Sequence, residues 1–475
     1  MTAMTRAPFP LELWSEAVYS RRSIPATLAA GASAPGAPEA GAPEADAPEP
    51  EPVALPGGRR IPLAAPPLRL GPAHRHQPAG DAGLADPSVL AALLHYSCGL
   101  LQHDLTPGGW PLHRAVASAR CRYPSELSLI VPAAAGGHQP GAVYRFDALH
   151  HQLVLVHRGV EGDVAAGDAV EGDAAGGVSA GGAATGRVSA GGAGSARFLV
   201  ITSRFARTAQ LYGDYAPRLC AQEAGMLLGA VHLVAAALGL RTRPGADRKT
   251  LLALCDGWIP GEVEHPMGYL EITGPTTAEA ALPWVPPDTA AVLRARHSGA
   301  AIFDPEPVAA PQALLDDLGA ALATAPFADF TCHLLVRQVA DTPPGHYVHT
   351  RERLHLLREG DPVPMLEQIG QTEGRVSLNF RSVACTAYLA VRRGTALARF
   401  GADAFRQVHL AAGAAAHLVC VVAARHGLTA RVHNGYDAAT AERLLQLTPD
   451  EETVLFQVAI GAAKPAAGFR LPVVF

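Results

Sequence analysis

The sequence lacks an excess of positive charge, cysteines paired at metal-ligand spacing, and a clean apolar run of spanning length. Each absence removes a class of function. Lys and Arg together number 38 against 43 Asp and Glu, for a formal charge of −5, so the basic footprint that nucleic acid or an anionic membrane surface requires is missing. The seven cysteines, Cys98, Cys121, Cys220, Cys255, Cys332, Cys385 and Cys420, are odd in number, scattered and free of any C-x-x-C pair. They predict neither a disulfide framework nor a zinc site, but small buried apolar residues. The opening stretch MTAMTRAPFPLELWSEAV has no charged start followed by an apolar run and a cleavage site, which predicts a cytoplasmic protein. No strand-like run is followed by G-x-G-x-x-G, the phosphate-binding turn of dinucleotide domains. Two stretches, Ala224–Leu240 and Leu410–Leu428, are strongly apolar, yet the first carries histidine and the second histidine and arginine. Both fall short of about 20 clean apolar residues, and they predict buried core helices.

What is present points to two domains. A chain of 475 residues, 49% of them apolar, can bury two substantial cores. Residues 30–51 (AGASAPGAPEAGAPEADAPEPE) hold Ala, Pro, Gly and acid with almost no bulky side chain, the composition of a flexible tether. Residues 161–196, with their GD, AGG and VSAGG units, read as a disordered insertion between two strands, Gln152–His157 and Arg197–Thr202.

The chain also repeats itself. Gly213, Arg218, Gly225, Gly239 and Leu240 match Gly401, Arg406, Gly413, Gly427 and Leu428 with every spacing preserved. Upstream, Pro140–Gly159 parallels Pro343–Gly360, each a turn followed by two strand-like runs. Ala73–Leu94 parallels Arg294–Leu315, each placing an Arg-His pair ahead of a helix. Two homologous α+β halves follow, residues 60–274 and 276–475, after an N-terminal segment of 1–59. The Gly- and Ala-studded helix that each half carries predicts a close helix pair between the halves, which would then meet as a homodimer does.

Three sets of residues carry chemistry. Arg296-His297-Ser298 offers guanidinium and hydroxyl donors suited to a phosphate dianion, and the chain ends on two further cations, Lys464 and Arg470. The first half has Arg75-His76-Gln77 at the matching place, and its closing stretch MGYLEITGPTTAEAALP holds no Lys or Arg. It contributes instead a turn, Ala117-Ser118-Ala119-Arg120, followed by Tyr123-Pro124-Ser125-Glu126-Leu127.

On these motifs the chain resembles the nitroreductase superfamily over nearly its whole length from Arg60. The resemblance implies an α+β fold of two tandem nitroreductase-like domains forming an intrachain pseudo-dimer, with FMN bound at the contact. Arg296, His297, Ser298, Lys464 and Arg470 would clamp the phosphate. Ser118, Ala119 and Arg120 would flank the ring from the other half, and Asn434 and Gly435 are further cofactor-binding residues. The two half-sites are complementary, which implies one composite FMN site per chain.

Within the superfamily, LLHYSCGL (Leu93–Leu100), RYPSEL (Arg122–Leu127) and RTAQLYGDYAPRLCAQEAG (Arg207–Gly225) resemble the SagB-type azoline dehydrogenases. In that branch a Lys-Tyr pair precedes Gly-Asp. Here Tyr212 keeps the tyrosine, Leu211 stands in the lysine position, and the second half has Arg399-Phe400.

This implies oxidation of thiazoline or oxazoline rings to azoles in a ribosomally made precursor peptide. FMN would accept the hydride, Tyr212 the Cα proton, and oxygen would reoxidise the flavin. The expected partners are that peptide and the cyclodehydratase components, with a further homodimer possible and no nucleic acid or membrane. Two alternatives stand beside it: an eroded, non-catalytic scaffold of the cyclodehydratase complex, and an NAD(P)H-dependent small-molecule nitroreductase.

Overall fold

The computed structural model describes residues 58–473 apart from 71–85, 106–110, 134–139, 160–196, 260–262, 276–281, 299–302, 307–308, 328–329, 350–352, 373–374, 377, 449–450 and 465–469. The tether, the insertion at 161–196 and Arg75-His76-Gln77 therefore lie outside the described residues.

The first half contains β1 (Arg60–Pro62), α1 (Pro87–Cys98), β2 (Leu100–Asp104), β3 (Leu112–Arg114), β4 (Ser125–Pro132), β5 (Pro140–Asp147), β6 (Gln152–Arg158), β7 (Arg197–Ser203), α2 (Phe205–Tyr212), α3 (Ala216–Ala237), β8 (Leu240–Gly245), α4 (Arg248–Cys255) and β9 (His265–Pro275). The second contains α5 (Thr289–Ala295), α6 (Ala313–Ala323), β10 (Thr331–Val336), β11 (Gly345–His349), β12 (Leu354–Glu359), α7 (Val363–Gly370), a small hairpin of β13 (Gln371–Thr372) and β14 (Arg375–Val376), β15 (Val383–Arg392), α8 (Arg393–Phe400), α9 (Ala404–Arg425), β16 (Thr429–His433), α10 (Ala438–Leu444), β17 (Glu452–Gly461) and β18 (Arg470–Pro472).

Two antiparallel sheets share one topology. Their strand orders are β1-β6-β5-β4-β7-β9-β8 and β12-β11-β10-β15-β17-β16, so the second repeats the first apart from the added edge strand β1. Central strands such as β7 (RFLVITS) are buried along their whole length, which is why they read as continuous apolar runs rather than alternating ones. The strands expected at Gln152–His157 and Arg197–Thr202 are β6 and β7. A third sheet, β18-β2-β3, crosses between the halves: the C-terminal strand pairs Arg470 with Asp104 and Leu471 with His103.

The repeated glycines have structural causes. Gly213 and Gly401 end α2 and α8 with φ 50 and 55 and ψ −131 and −134, a region in which a Cβ clashes. The core helices α3 and α9 pack against each other. A Cβ at Gly413 would lie 2.0 Å from the Gln222 carbonyl oxygen, and one at Gly225 would lie 2.1 Å from that of Leu410. The equivalent arginines also cross over. Arg218 donates to Leu455 O at 2.6 Å and Tyr436 Oη at 3.0 Å, while Arg406 donates to Ala246 O at 2.5 Å and to Met267 O. The halves thus meet about a pseudo-twofold axis, as the repeat implies.

Both core helices are long and apolar enough to cross a membrane, and both are largely buried inside the protein. Apolar residues on every side of a helix are what burial on every side demands.

Gly413→Ala is expected to destabilise the protein by about 1–3 kcal/mol or more, because a rigid backbone carbonyl, not a movable side chain, blocks the new methyl. Urea unfolding checks this, and a change under about 0.5 kcal/mol would contradict backbone-to-backbone packing.

One local expectation differs. Arg296-His297 does not stand just ahead of a helix but directly behind one, α5, with α6 starting at Ala313. The reason is a cap: the Asp288 carboxylate accepts from Ala291 N at 3.0 Å and from Leu70 N at 3.3 Å, which starts a helix upstream of the motif.

Candidate functional site

Arg296 caps the C-terminus of α5 and is 4% exposed. Its Nη2 donates to Arg114 O at 3.2 Å, whereas Nε and Nη1 are buried and have no hydrogen-bond partner among the described residues. A buried guanidinium with two unmet donors is costly to hold, and an anion would relieve it. His297 follows, its carbonyl accepting from Thr429 Oγ1 at 2.9 Å. Burial first, then the neighbouring Arg470, Arg296 and His113, push its imidazole down to about 4, so it is neutral at pH 7. Ser298 is half-buried beside it. Arg470 arrives on β18 and pairs through Nε with Asp104 Oδ2 at 3.0 Å. The structure therefore brings Arg296, His297 and Arg470 together. Lys464 is exposed just beyond the Phe303–Ala463 bridge, which lays the end of β17 along the segment downstream of Ser298.

The first half contributes the turn between β3 and β4. Ser118 Oγ accepts from Tyr123 N at 2.8 Å and donates to the Glu223 carboxylate. Ala119 begins a single 3-10 turn ending at Cys121. Three residues of this segment, Arg120 (φ 50), Cys121 (φ 51) and Tyr123 (φ 44), adopt left-handed backbone. Such residues cost on the order of 1–3 kcal/mol each and persist where the surroundings dictate them.

The surroundings here are specific. Arg114 stacks over the Tyr123 ring at 4.8 Å, its N–H donates to Tyr123 Oη at 3.1 Å, and its Nη1 donates to Ser125 O at 3.3 Å. Arg207 on α2 donates to Tyr123 O at 2.9 Å and pairs with Glu126 at 2.9 Å.

Tyr212, the last residue of α2, hydrogen-bonds with the Arg120 side chain. Burial raises its phenol above the ordinary value, with Arg120 and Arg122 pulling the other way. Arg431, on β16 of the second half, also feels the Tyr212 phenol, and burial lowers its guanidinium.

On β16, residues 429, 431 and 433 share one face by the strand's period of two. That face runs from Thr429 at His297 to Arg431 at Tyr212. Beyond it, Asn434 Nδ2 donates to Gln222 Oε1 at 2.7 Å and its Oδ1 accepts from Arg218 at 3.3 Å, while Gly435 N donates to His433 Nδ1 at 3.2 Å. The side-chain hydrogen bonds of Asn434 thus go to α3 at the contact between halves.

Three residues were missed by sequence reasoning: Arg114, Glu223 and Arg431. The repeat held a signal for two of them. Opposite Arg243 on β8 the cross-strand residue is Glu271, whereas opposite its counterpart Arg431 it is Ala459. Likewise Glu223 has Ala411 at its place in α9. Each difference leaves a charge in one half that the other half lacks or neutralises.

The arrangement can hold an elongated anion, its charged end on Arg296 and Arg470 and its body along β16 towards Arg120 and Tyr212.

No family model matches the chain, and no curated protein matches it. Among solved structures, a candidate nitroreductase from Anabaena variabilis superposes with a TM-score of 0.61 at 18% identity, covering 86% of this chain and 92% of that one. The microcin synthetase complex of E. coli matches at a TM-score of 0.28 and 14% identity, over 33% of this chain and 66% of that one. A candidate nitroreductase from Exiguobacterium sibiricum, solved in complex with FMN, matches at 0.26 and 12%, over 37% and 90%. The first likeness spans both halves and establishes the fold as nitroreductase-like, in tandem.

Proposed function

We propose that the protein is an FMN-dependent oxidoreductase with one composite site per chain, and that it oxidises azolines to azoles in a precursor peptide delivered by cyclodehydratase components in the cytoplasm. The observation that supports the cofactor reading is Arg296, a buried guanidinium whose Nε and Nη1 have no partner among the described residues, on a nitroreductase-like fold and at the contact between its halves.

In this reading Arg296, His297, Ser298 and Arg470 bind the phosphate, with Lys464 at the rim. Neutral His297 donates a hydrogen bond rather than charge. The Ser118–Arg120 turn and the β16 face with Asn434 and Gly435 hold the ring between them. FMN, when bound, supplies the two-electron acceptor for the substrate hydride. In this reading Tyr212, beside Arg120, would take the Cα proton at its phenolic oxygen.

The azoline substrate is inferred from the resemblance of Leu93–Leu100, Arg122–Leu127 and Arg207–Gly225 to the azoline dehydrogenases.

The visible spectrum of the purified protein, with acid-released flavin quantified against protein, tests the site. One flavin per chain is expected. Two would contradict a composite site, and none would favour a scaffold that binds peptide without redox chemistry.

A further inference from the structure

We infer that Glu223 is a positioning residue of this site: from the core helix α3 it holds both ends of the Ser118–Ser125 turn, and so sets the surface that the turn presents to the ring. The inference rests on the cofactor reading for the word ring, but the clamp itself is read from geometry. Glu223 is buried in α3, where its carboxylate accepts from Ser118 Oγ at the start of the turn and from Ser125 N, at 3.3 Å, at its end. Between these two points lie the three left-handed residues Arg120, Cys121 and Tyr123. A backbone of that kind reverts to commoner conformations unless its ends are fixed.

The same chain of contacts reaches the phosphate side. Ser118 accepts from Tyr123 N, Tyr123 is stacked beneath Arg114, and Arg114 O accepts from Arg296. Glu223 thus anchors the far end of a buried path whose near end is the proposed phosphate ligand. The repeat adds an independent argument: α9 has Ala411 at the equivalent position, so the carboxylate stands in the half that supplies the turn.

The clamp should depend on pH. Burial pushes the Glu223 carboxyl up to about 7, against Ser118, Arg114 and Ser125, which favour the ionised form. The titratable groups facing it are Arg114 from β3, Cys98 from α1, Cys121 from the turn and Cys220 from its own helix. Burial holds the thiols up to about 11 for Cys98 and Cys121 and about 12 for Cys220. Of these groups Glu223 therefore changes charge near neutrality. As pH rises through that value it becomes an acceptor for both donors, and the turn tightens.

Glu223→Gln has one acceptor oxygen for the same two donors. In the flavin-free full-length chain, amide exchange protection of residues 118–125 is expected to be about tenfold to a hundredfold lower in Glu223→Gln than in wild type at pH 8, the worth of one charge-assisted hydrogen bond. The two should converge at pH 6, where the wild-type carboxyl is neutral. In the flavin-loaded chain the visible band of Glu223→Gln should be displaced, with Glu223→Asp partly restoring it.

Equal protection at pH 8 overturns the inference, whatever the wild type does to azolines. A loss of protection that is the same at pH 6 and pH 8 overturns it too, because that is what a packing defect alone would give. A wild type without flavin would instead overturn the functional reading, while the exchange comparison still decides the clamp.

Discussion

Replacing Arg296 by methionine is expected to weaken FMN binding by about tenfold to a hundredfold or more, while leaving the flavin-free protein at least as stable as wild type. The two effects have opposite signs because Arg296 is 4% exposed and keeps two donors without a partner among the described residues. In the flavin-free chain that buried charge is a cost, and an apolar side chain of similar volume removes it. In the loaded chain the same donors face a phosphate, and each charge-assisted contact is worth roughly 1.5–3 kcal/mol, which gives the stated loss of affinity. Arg296→Glu should weaken binding further by adding repulsion, although a buried carboxylate also threatens the fold, so methionine is the cleaner variant. Fluorescence titration of FMN and urea unfolding without flavin measure the two quantities. If Arg296→Met binds FMN as wild type does, the phosphate assignment is wrong. If it unfolds much more easily, the guanidinium serves chiefly to hold Arg114 O, which accepts from it at 3.2 Å.

The architecture was legible where physical need leaves few residue choices. Gly213 and Gly401 sit at a φ and ψ that reject side chains, and Gly225 and Gly413 sit where another backbone passes within a carbonyl's reach. Both requirements survive duplication, so they appear in the sequence as a repeat in register. Arg218 and Arg406 belong to the same pattern, but their cause could not be read in advance. Each donates to carbonyls of the opposite half, and which carbonyls lie there is decided by how the halves dock. The start of α5 was missed for a simpler reason: its cap, Asp288, also receives Leu70 N from the first half, a contact that no local pattern records.

The site was less legible because half of it arises from differences between the repeats rather than from what they share. Arg296-His297-Ser298 could be found as a motif. Arg431 becomes visible when Ala459 is seen to stand where the first half has Glu271 across the ladder, and Glu223 when Ala411 is set against it. The Ser118–Tyr123 turn shows the limit of motif reading. Nothing in its sequence announces a left-handed backbone, yet Arg120, Cys121 and Tyr123 all have positive φ. Arg114, Arg207 and Glu223 hold it there by hydrogen bonds from three different elements, so the conformation is set by tertiary contacts that no local pattern records.

Replacing Tyr212 by phenylalanine is expected to slow azoline oxidation by roughly 10²–10⁴-fold, the usual worth of a positioned general base, without loosening FMN. Phenylalanine keeps the packing of the ring and removes only the hydroxyl. The pH dependence gives the sharper test. Burial raises the Tyr212 phenol above its ordinary value of 10.0, and Arg120 and Arg122 oppose this without reversing it. At neutral pH the group is therefore almost wholly protonated, and a base must first lose its proton. The reactive fraction grows about tenfold per pH unit below the phenol's own value, so the wild-type rate should climb steadily from pH 7 to pH 9. In Tyr212→Phe that slope should vanish along with the rate. Arg120→Ala removes a cation that favours the phenolate, so it should lower the rate at a given pH and shift the rising limb to higher pH. These outcomes are read by mass spectrometry of a precursor peptide already carrying azolines, following the loss of two hydrogens per ring. A wild-type rate that is level between pH 7 and pH 9 would count against Tyr212 as the base even if the variant were slow, because burial raises its phenol. Unchanged turnover in Tyr212→Phe would remove the residue from the reaction while sparing the flavin site. Failure of the flavin-loaded wild type to convert azolines, with the cyclodehydratase and the peptide's leader present, would sink the dehydrogenase reading itself.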